Sequence, residues 1–286
     1  MKPATFFPLV LCLGFFLAVT PPLVAQDFVP DSSLWSTQKD MHRARAYFPA
    51  VNSVRNIYVF GGMTANNGGV FTYTNSIERY NINSKEWVEE DTLPQPMAAM
   101  AAVELNGAIY IIGGVTDPAA VTSSPKVYRY LLASGTFDAD TIAPLPAARS
   151  YLSACAVGNK IYAIGGASGF LGAVSKTVYV YDPSSNSWSK GPELKSGRAA
   201  HTCAVVGGKI YVMGGTVSWL NSINAVEVLD VYAPVPGWEL SDKPLSRARA
   251  NHGSAVLSDV IYTLGGIQST SSVEMSVEGY WPEKDG

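Results

Sequence analysis

The chain has 286 residues and a formal net charge of -3, with 47% hydrophobic and only 15% charged residues. That balance excludes a disordered, charge-solvated chain and supplies a sizeable core. It also offers no electrostatic footprint for nucleic acid or for an anionic membrane surface. The 26 Gly, 18 Pro and 15 Tyr point to many strands joined by turns, not to a helical bundle.

In chain order, the first segment reads as a targeting sequence. Lys2 supplies a positive start, Phe6 to Val19 is apolar, and Leu23-Val24-Ala25 resembles a small-residue cleavage site before Gln26. An apolar run of about 14 residues is short of the roughly 20 that span a bilayer. Residues 1–25 are therefore expected to be a signal peptide and the mature chain, 26–286, to be secreted or periplasmic; an uncleaved N-terminal anchor is the alternative. Cys12 leaves with that segment, and Cys155 and Cys203 remain. An oxidising compartment would allow one disulfide, but the two are expected to be buried thiols packed as small hydrophobes. Their places, six residues after Arg149 and five after Arg198, do not obviously face each other.

A repeat of about fifty residues then runs through the chain. Ile57-Tyr58-Val59-Phe60-Gly61-Gly62 returns as Ile109–Gly114, Ile161–Gly166, Ile210–Gly215 and Ile261–Gly266, at spacings of 52, 52, 49 and 51. Each run is a short apolar strand ended by a glycine pair, which permits positive φ and close backbone approach. Sixteen residues before the first glycine stand Arg45, Met97, Arg149, Arg198 and Arg249. After the glycines come a loop and a third strand, as in Ile77-Glu78-Arg79-Tyr80. Seven residues past that strand's tyrosine an aromatic (Trp87, Phe137 or Trp188) opens a fourth strand; Trp238 follows two residues late.

These five in-phase copies resemble the kelch repeat over nearly all of the mature chain. The resemblance implies an all-β fold, a kelch-type β-propeller whose blades are four-stranded antiparallel sheets around an axis. Tyr58, Tyr110, Tyr162, Tyr211, Tyr262 and the repeated tryptophans then pack between blades. Repeats fall at approximately 41–92, 93–144, 145–193, 194–244 and 245–286, forming one domain. Kelch propellers usually have six or seven blades, and the fifth repeat here stops after its third strand, Val277 to Tyr280. Trp35 precedes Arg45 by ten residues, as Trp87 precedes Met97, so residues 32–38 are expected to complete the last blade and close a five-bladed ring. An open ring is the alternative.

In an up-and-down blade the second-to-third-strand loops share a face with the connections that enter each first strand. The loops are long (Met63 to Asn75, Val115 to Lys126, Ala167 to Lys176, Thr216 to Asn224, Ile267 to Ser272), and function concentrates on loops. The candidate ligand-binding residues on this face are Arg43, Arg45, Arg149, Arg198, Arg247 and Arg249 with Phe71, Tyr73, Phe170 and Trp219. Guanidinium groups ringed by aromatics suit an acidic peptide, a carboxylate or an acidic sugar. Repeated arginines can equally bond to carbonyls at strand ends, a regular feature of the kelch repeat. The expectation is an exported binding module for a protein or carbohydrate partner. The alternatives are a metal-free sugar mutarotase, like the exported kelch propellers that interconvert sialic-acid anomers, or a structural module of a surface assembly. No catalytic residue, cofactor or metal is assigned: the chain has three histidines, and His201 and His252, in matching places of adjacent blades, read as structural.

Overall fold

A computed structural model describes residues 37–65, 70–117, 122–138, 142–169, 172–219, 221–269 and 272–282. Each apolar run becomes the second strand of an antiparallel sheet. Blade 1 is built from Ala50–Ser53, Asn56–Phe60, Ser76–Asn81 and Glu86–Thr92. Blade 2 takes Ala101–Leu105, Ala108–Ile112, Val127–Leu131 and Thr136–Phe137, and blade 3 Ser153–Val157, Lys160–Ile164, Val178–Asp182 and Ser187–Lys190. Blade 4 comprises Thr202–Val206, Lys209–Met213, Val226–Asp230 and Trp238–Leu240; blade 5 has Gly253–Leu257, Val260–Leu264 and Val277–Tyr280. The fold is thus all-β, five blades in sequence order.

Side-chain alternation along each strand explains why blades stack. Successive residues of a strand point to opposite faces, and in a ring each face meets a different neighbour. On the first strand of blade 3, Ala154 and Ala156 pack with blade 2, while Cys155 and Val157 pack with blade 4. The second strands bury both faces over most of their length and are largely apolar; in blade 2 all five residues of Ala108–Ile112 are buried. Tyr58, Tyr110 and Tyr211 meet Tyr130, Tyr181 and Tyr280 of the next blade with ring centroids 6.0, 5.7 and 5.7 Å apart. The seven-residue aromatic spacing places Trp87, Phe137 and Trp188 directly across from Tyr80, Tyr130 and Tyr181. Trp87, Trp188 and Trp238 also donate Nε1–H to the carbonyls of Lys39, Ala143 and Pro192, tying each outer strand to the connection entering its own blade.

The glycine pair is the joint between blades. The second glycine N–H donates to the carbonyl at the arginine position of the next blade: Gly62 to Met97 at 2.7 Å, Gly114 to Arg149 at 2.8 Å, Gly166 to Arg198 at 2.9 Å and Gly215 to Arg249 at 2.8 Å. The same carbonyl crowds the first glycine. At Gly113, with φ +69, a Cβ would stand 2.3 Å from the Arg149 oxygen, closer than any side chain tolerates.

Blade 5 differs. Gly265 meets only the Glu274 carbonyl of its own blade, at 3.5 Å. Val277 is 54% exposed, whereas Val178 and Val226 in the same place are fully buried. Leu257 and Met275 are also exposed, so one apolar face of the last blade is bare among the described residues. The expected closing strand, 32–38, falls almost wholly outside the described part. Its last residue, Gln38, and Lys39 after it accept bonds from Tyr80 and Trp87 of blade 1.

Candidate functional site

The connections and the long loops do share one face. In each blade the residue after the arginine position bridges the residue after the glycine pair: Ala46 with Met63, Ala98 with Val115, Ser150 with Ala167, Ala199 with Thr216 and Ala250 with Ile267. On that face the repeated arginines turn inward. Arg45 donates to the Gly61 carbonyl (2.8 Å) and the Ser76 carbonyl (3.2 Å) and pairs with Glu78. Arg198 does the same to Gly214 and Ala225, both at 3.1 Å, and to Glu227. Arg249 bonds Gly265 at 3.0 Å, Ser276 at 3.1 Å and Glu278. All three side chains are fully enclosed. Burial lowers the Arg45 and Arg198 pKa values and the neighbouring glutamates oppose that shift. These guanidiniums hold the glycine turn against the third strand of their own blade and present no surface to a ligand.

The remaining arginines are arranged differently. Arg149 is half-buried and has Tyr179 where blades 1, 4 and 5 have glutamate; it donates to the Ala148 carbonyl at 2.9 Å and to Ser175 Oγ at 3.1 Å. Arg43 and Arg247 are exposed, 3.7 Å from Glu89 and 3.3 Å from Glu274. Bonds from the Ser276 backbone and hydroxyl, then Gln268 and the Arg247 charge, bring the Glu274 carboxyl down to about 2.

The ring axis carries a cavity of about 450 Å³, open on this face and lined by residues of all five blades. Two residues after each arginine position stand Tyr47, Ala99, Tyr151, Ala200 and Asn251, all left-handed, with φ between 51 and 55°. Left-handed backbone is costly for residues with a Cβ, and here a bond between blades compensates. Ala99 N–H donates to the Tyr47 carbonyl, Tyr151 to Ala99, Ala200 to Tyr151 and Asn251 to Ala200, at 2.8 to 2.9 Å. That chain of bonds places the five residues around the axis, where they line the cavity. The residues that follow, Phe48, Met100, Leu152, His201 and His252, form a second ring of its lining.

The two rings give the cavity aromatic walls and neutral polar groups. Tyr47 and Tyr151 meet edge to face at 5.7 Å, and Tyr151 and Trp219 at 5.1 Å. Trp219 reaches over from the blade 4 loop and donates Nε1–H to the Gly172 carbonyl at 3.0 Å. His201 and His252 pack over Gly165 and Gly214, where a Cβ would be 2.9 Å from each imidazole Cε1. Burial, then the Arg198 charge, then His252 hold His201 well below the usual imidazole range, the Ile164 backbone opposing. Burial and Arg249 bring His252 down to about 3. Both rings are therefore neutral at ordinary pH. His252 Nε2 lies 2.9 Å from Thr202 Oγ1, while neither His201 nitrogen has a hydrogen-bond partner of good geometry. Among the described residues no carboxylate lines the cavity, and no group of three or more His, Cys, Asp or Glu could hold a metal.

Of the residues singled out in the sequence, Arg45 lies at the cavity, its charge already paired with Glu78, and Trp219 packs on the cavity residue Tyr151. Phe71 is exposed and Tyr73 half-buried on a small ribbon, Met63–Ala65 with Phe71–Tyr73, that rises from blade 1. Phe170 lies outside the described residues. Tyr47, Tyr151 and Asn251 were missed. Their signal was a fixed place, two after the arginine position, whose occupant varies as Tyr, Ala, Tyr, Ala, Asn while the frame around it holds.

The family model described as the KLHDC2/KLHL20/DRC7 Kelch-repeats domain matches residues 41–266. The chain belongs to the kelch-repeat family. Among its relatives, beta-scruin of Limulus polyphemus is 29% identical over 163 residues, covering 54% of this chain and 17% of the scruin. Kelch-like protein 25 of Xenopus tropicalis is 29% identical over 57% of this chain and 26% of its own. Kelch-like protein 36 of Bos taurus is 25% identical over 80% of this chain and 37% of its own. The chain therefore spans well under half of these relatives. A solved structure, that of YjhT, superposes with a TM-score of 0.71 at 16% identity over 84% of this chain and 82% of that one, a likeness of fold. A kelch propeller suggests a protein-binding module. No helix among the described residues is long and apolar enough to cross a membrane.

Proposed function

We propose that this protein is an exported kelch-repeat binding module whose long-loop face takes an uncharged group of a protein partner into the axial cavity. The observation that carries this reading is the cavity itself: about 450 Å³, walled by Tyr47 and Tyr151, with Trp219 packed edge to face on Tyr151. That volume lies within the range of ordinary ligand sites, roughly 300–1,000 Å³, and tyrosine and tryptophan are the usual anchors of interfaces. An acidic group at the axis is disfavoured because Arg45, Arg198 and Arg249 already carry their own glutamates. Acidic recognition is left to the rim, at Arg43 and Arg247.

A carbohydrate partner is the second reading. Aromatic edges and faces beside the Asn251 amide match the C–H faces and the hydroxyls of an uncharged sugar ring. Mutarotation of such a ring would need a general acid and base, and among the described lining residues that work would fall to two imidazoles held neutral. Binding is the simpler use of these groups.

The test is capture from extracellular or envelope extract with the mature protein as bait beside Tyr151→Ala/Trp219→Ala. A partner held by the wild type and lost by the variant, at an unchanged melting temperature, supports the reading. A protein or glycan retained equally by both contradicts it.

A further inference from the structure

The cysteines occupy different places in their repeats, and that offset is what brings them together. Along the first strand of a blade, odd and even places face opposite neighbours. Cys155 faces from blade 3 toward blade 4, in one cluster with Ile210, Val212 and Trp238. On blade 4, Ala204 and Val206 pack toward blade 5, leaving Cys203 and Val205 to face back into the same cluster as Cys155. Equal places would point the same way around the ring; places one apart point at each other. The two thiols share that cluster, each shifts the other's pKa, and both are free. Cys155 is buried and Cys203 is partly open to solvent.

We propose that Cys155 and Cys203 are a redox-modifiable pair that closes a disulfide stapling blade 3 to blade 4. The oxidant is a small-molecule disulfide. The Cys203 thiolate attacks one of its sulfurs, breaks that S–S bond and releases a first thiolate. Cys155 then gives up its proton to solvent and attacks the Cys203 sulfur, forming the Cys155–Cys203 bond and releasing the second thiolate. Two electrons pass from the cysteines to the oxidant, which departs as two thiols. The pairing supports this order: Cys155 beside it holds Cys203 below the usual thiol range, while Cys203, with burial, pushes Cys155 up.

A staple between sequence-distant strands restricts the unfolded chain, and a melting gain of about 5 °C or more is expected for a domain of this size. It also fixes the spacing of two walls of the axial cavity, since Leu152 and His201 immediately precede the strands that carry the cysteines.

The experiment treats the mature protein with oxidised glutathione under native conditions and reads intact mass, linked peptides and melting temperature. The expected result is the loss of two hydrogens, one peptide pair joined through Cys155 and Cys203, and a melting gain reversed by dithiothreitol. Cys155→Ser should stop at a glutathione adduct on Cys203 and gain nothing. Where that variant fails to fold, the wild-type mass alone decides. Glutathione retained on the wild type, or two thiols still open to iodoacetamide after oxidation, would overturn the pair. A linked pair with no melting gain would overturn the staple.

Discussion

Arg198 and Glu227 lie together with no exposed surface, and the guanidinium also satisfies two carbonyls. Removing one member of such a pair leaves a buried charge alone, which costs about 3–5 kcal/mol, whereas an apolar pair of similar volume is often neutral. Blade 2 already carries the apolar version, with Met97 and Tyr128 in the arginine and glutamate places. Arg198→Ala should therefore lower stability by about 3–5 kcal/mol in urea denaturation, and Arg198→Met/Glu227→Tyr should recover most of the loss. This residue-level pattern was legible: Arg45, Arg198 and Arg249 occur in the blades whose third strands carry Glu78, Glu227 and Glu278. Assigning those arginines to a ligand overlooked the glutamates. Blade 3, with Arg149 and Tyr179, is the exception that kept the pattern from view.

The histidines make stability depend on pH in a defined direction. His252 falls from 6.5 to about 3 on folding, and His201 shifts the same way. The native state then binds fewer protons than the unfolded chain, so this stability is fully present above pH 6.5 and is lost as pH falls toward 3. Glu274, lowered from 4.5 to about 2, adds its own loss below 4.5. The window between 6.5 and 4.5 thus isolates the imidazoles. The urea midpoint should decline across it, and His201→Leu/His252→Leu should flatten that decline; an unchanged slope in the double variant would remove the histidines from the account.

At the scale of elements, the glycine pair marks the joint between neighbours as well as the end of a strand. Gly113 and Gly107 both have positive φ, but only Gly113 faces the carbonyl of the next blade; nothing lies within 4 Å of a Cβ at Gly107. Gly107→Ala should cost about 1–2 kcal/mol from backbone strain alone. Gly113→Ala should cost clearly more, because the Arg149 backbone has to shift, and thermal melts of the two variants make the comparison. Strand order, glycine ends and aromatic spacing were all readable, since each recurs in phase. The facing of Cys155 and Cys203 was not, because their places, one apart in adjacent repeats, face each other only once neighbouring blades are set side by side around the ring. The axial residues escaped for a related reason. Tyr47, Tyr151 and Asn251 owe their inward position to a left-handed turn that no residue type at that place announces.

For the whole molecule, five blades bring two rings of five residues to one end of the axis, and no single repeat contains that site. Two other surfaces compete with it for a partner: the charged rim at Arg43 and Arg247, and the bare apolar face of blade 5 around Leu257 and Val277. Interface energy concentrates in a few enclosed aromatic anchors, which favours the cavity over both. The deciding measurement is the affinity of the captured partner for four proteins: the wild type, Tyr151→Ala/Trp219→Ala, Arg43→Glu/Arg247→Glu and Leu257→Asp/Val277→Asp. The cavity variant should weaken binding about thirtyfold or more, and the other two by less than about threefold. Full affinity in the cavity variant, with the loss falling instead on the blade 5 face or the rim, would contradict the account.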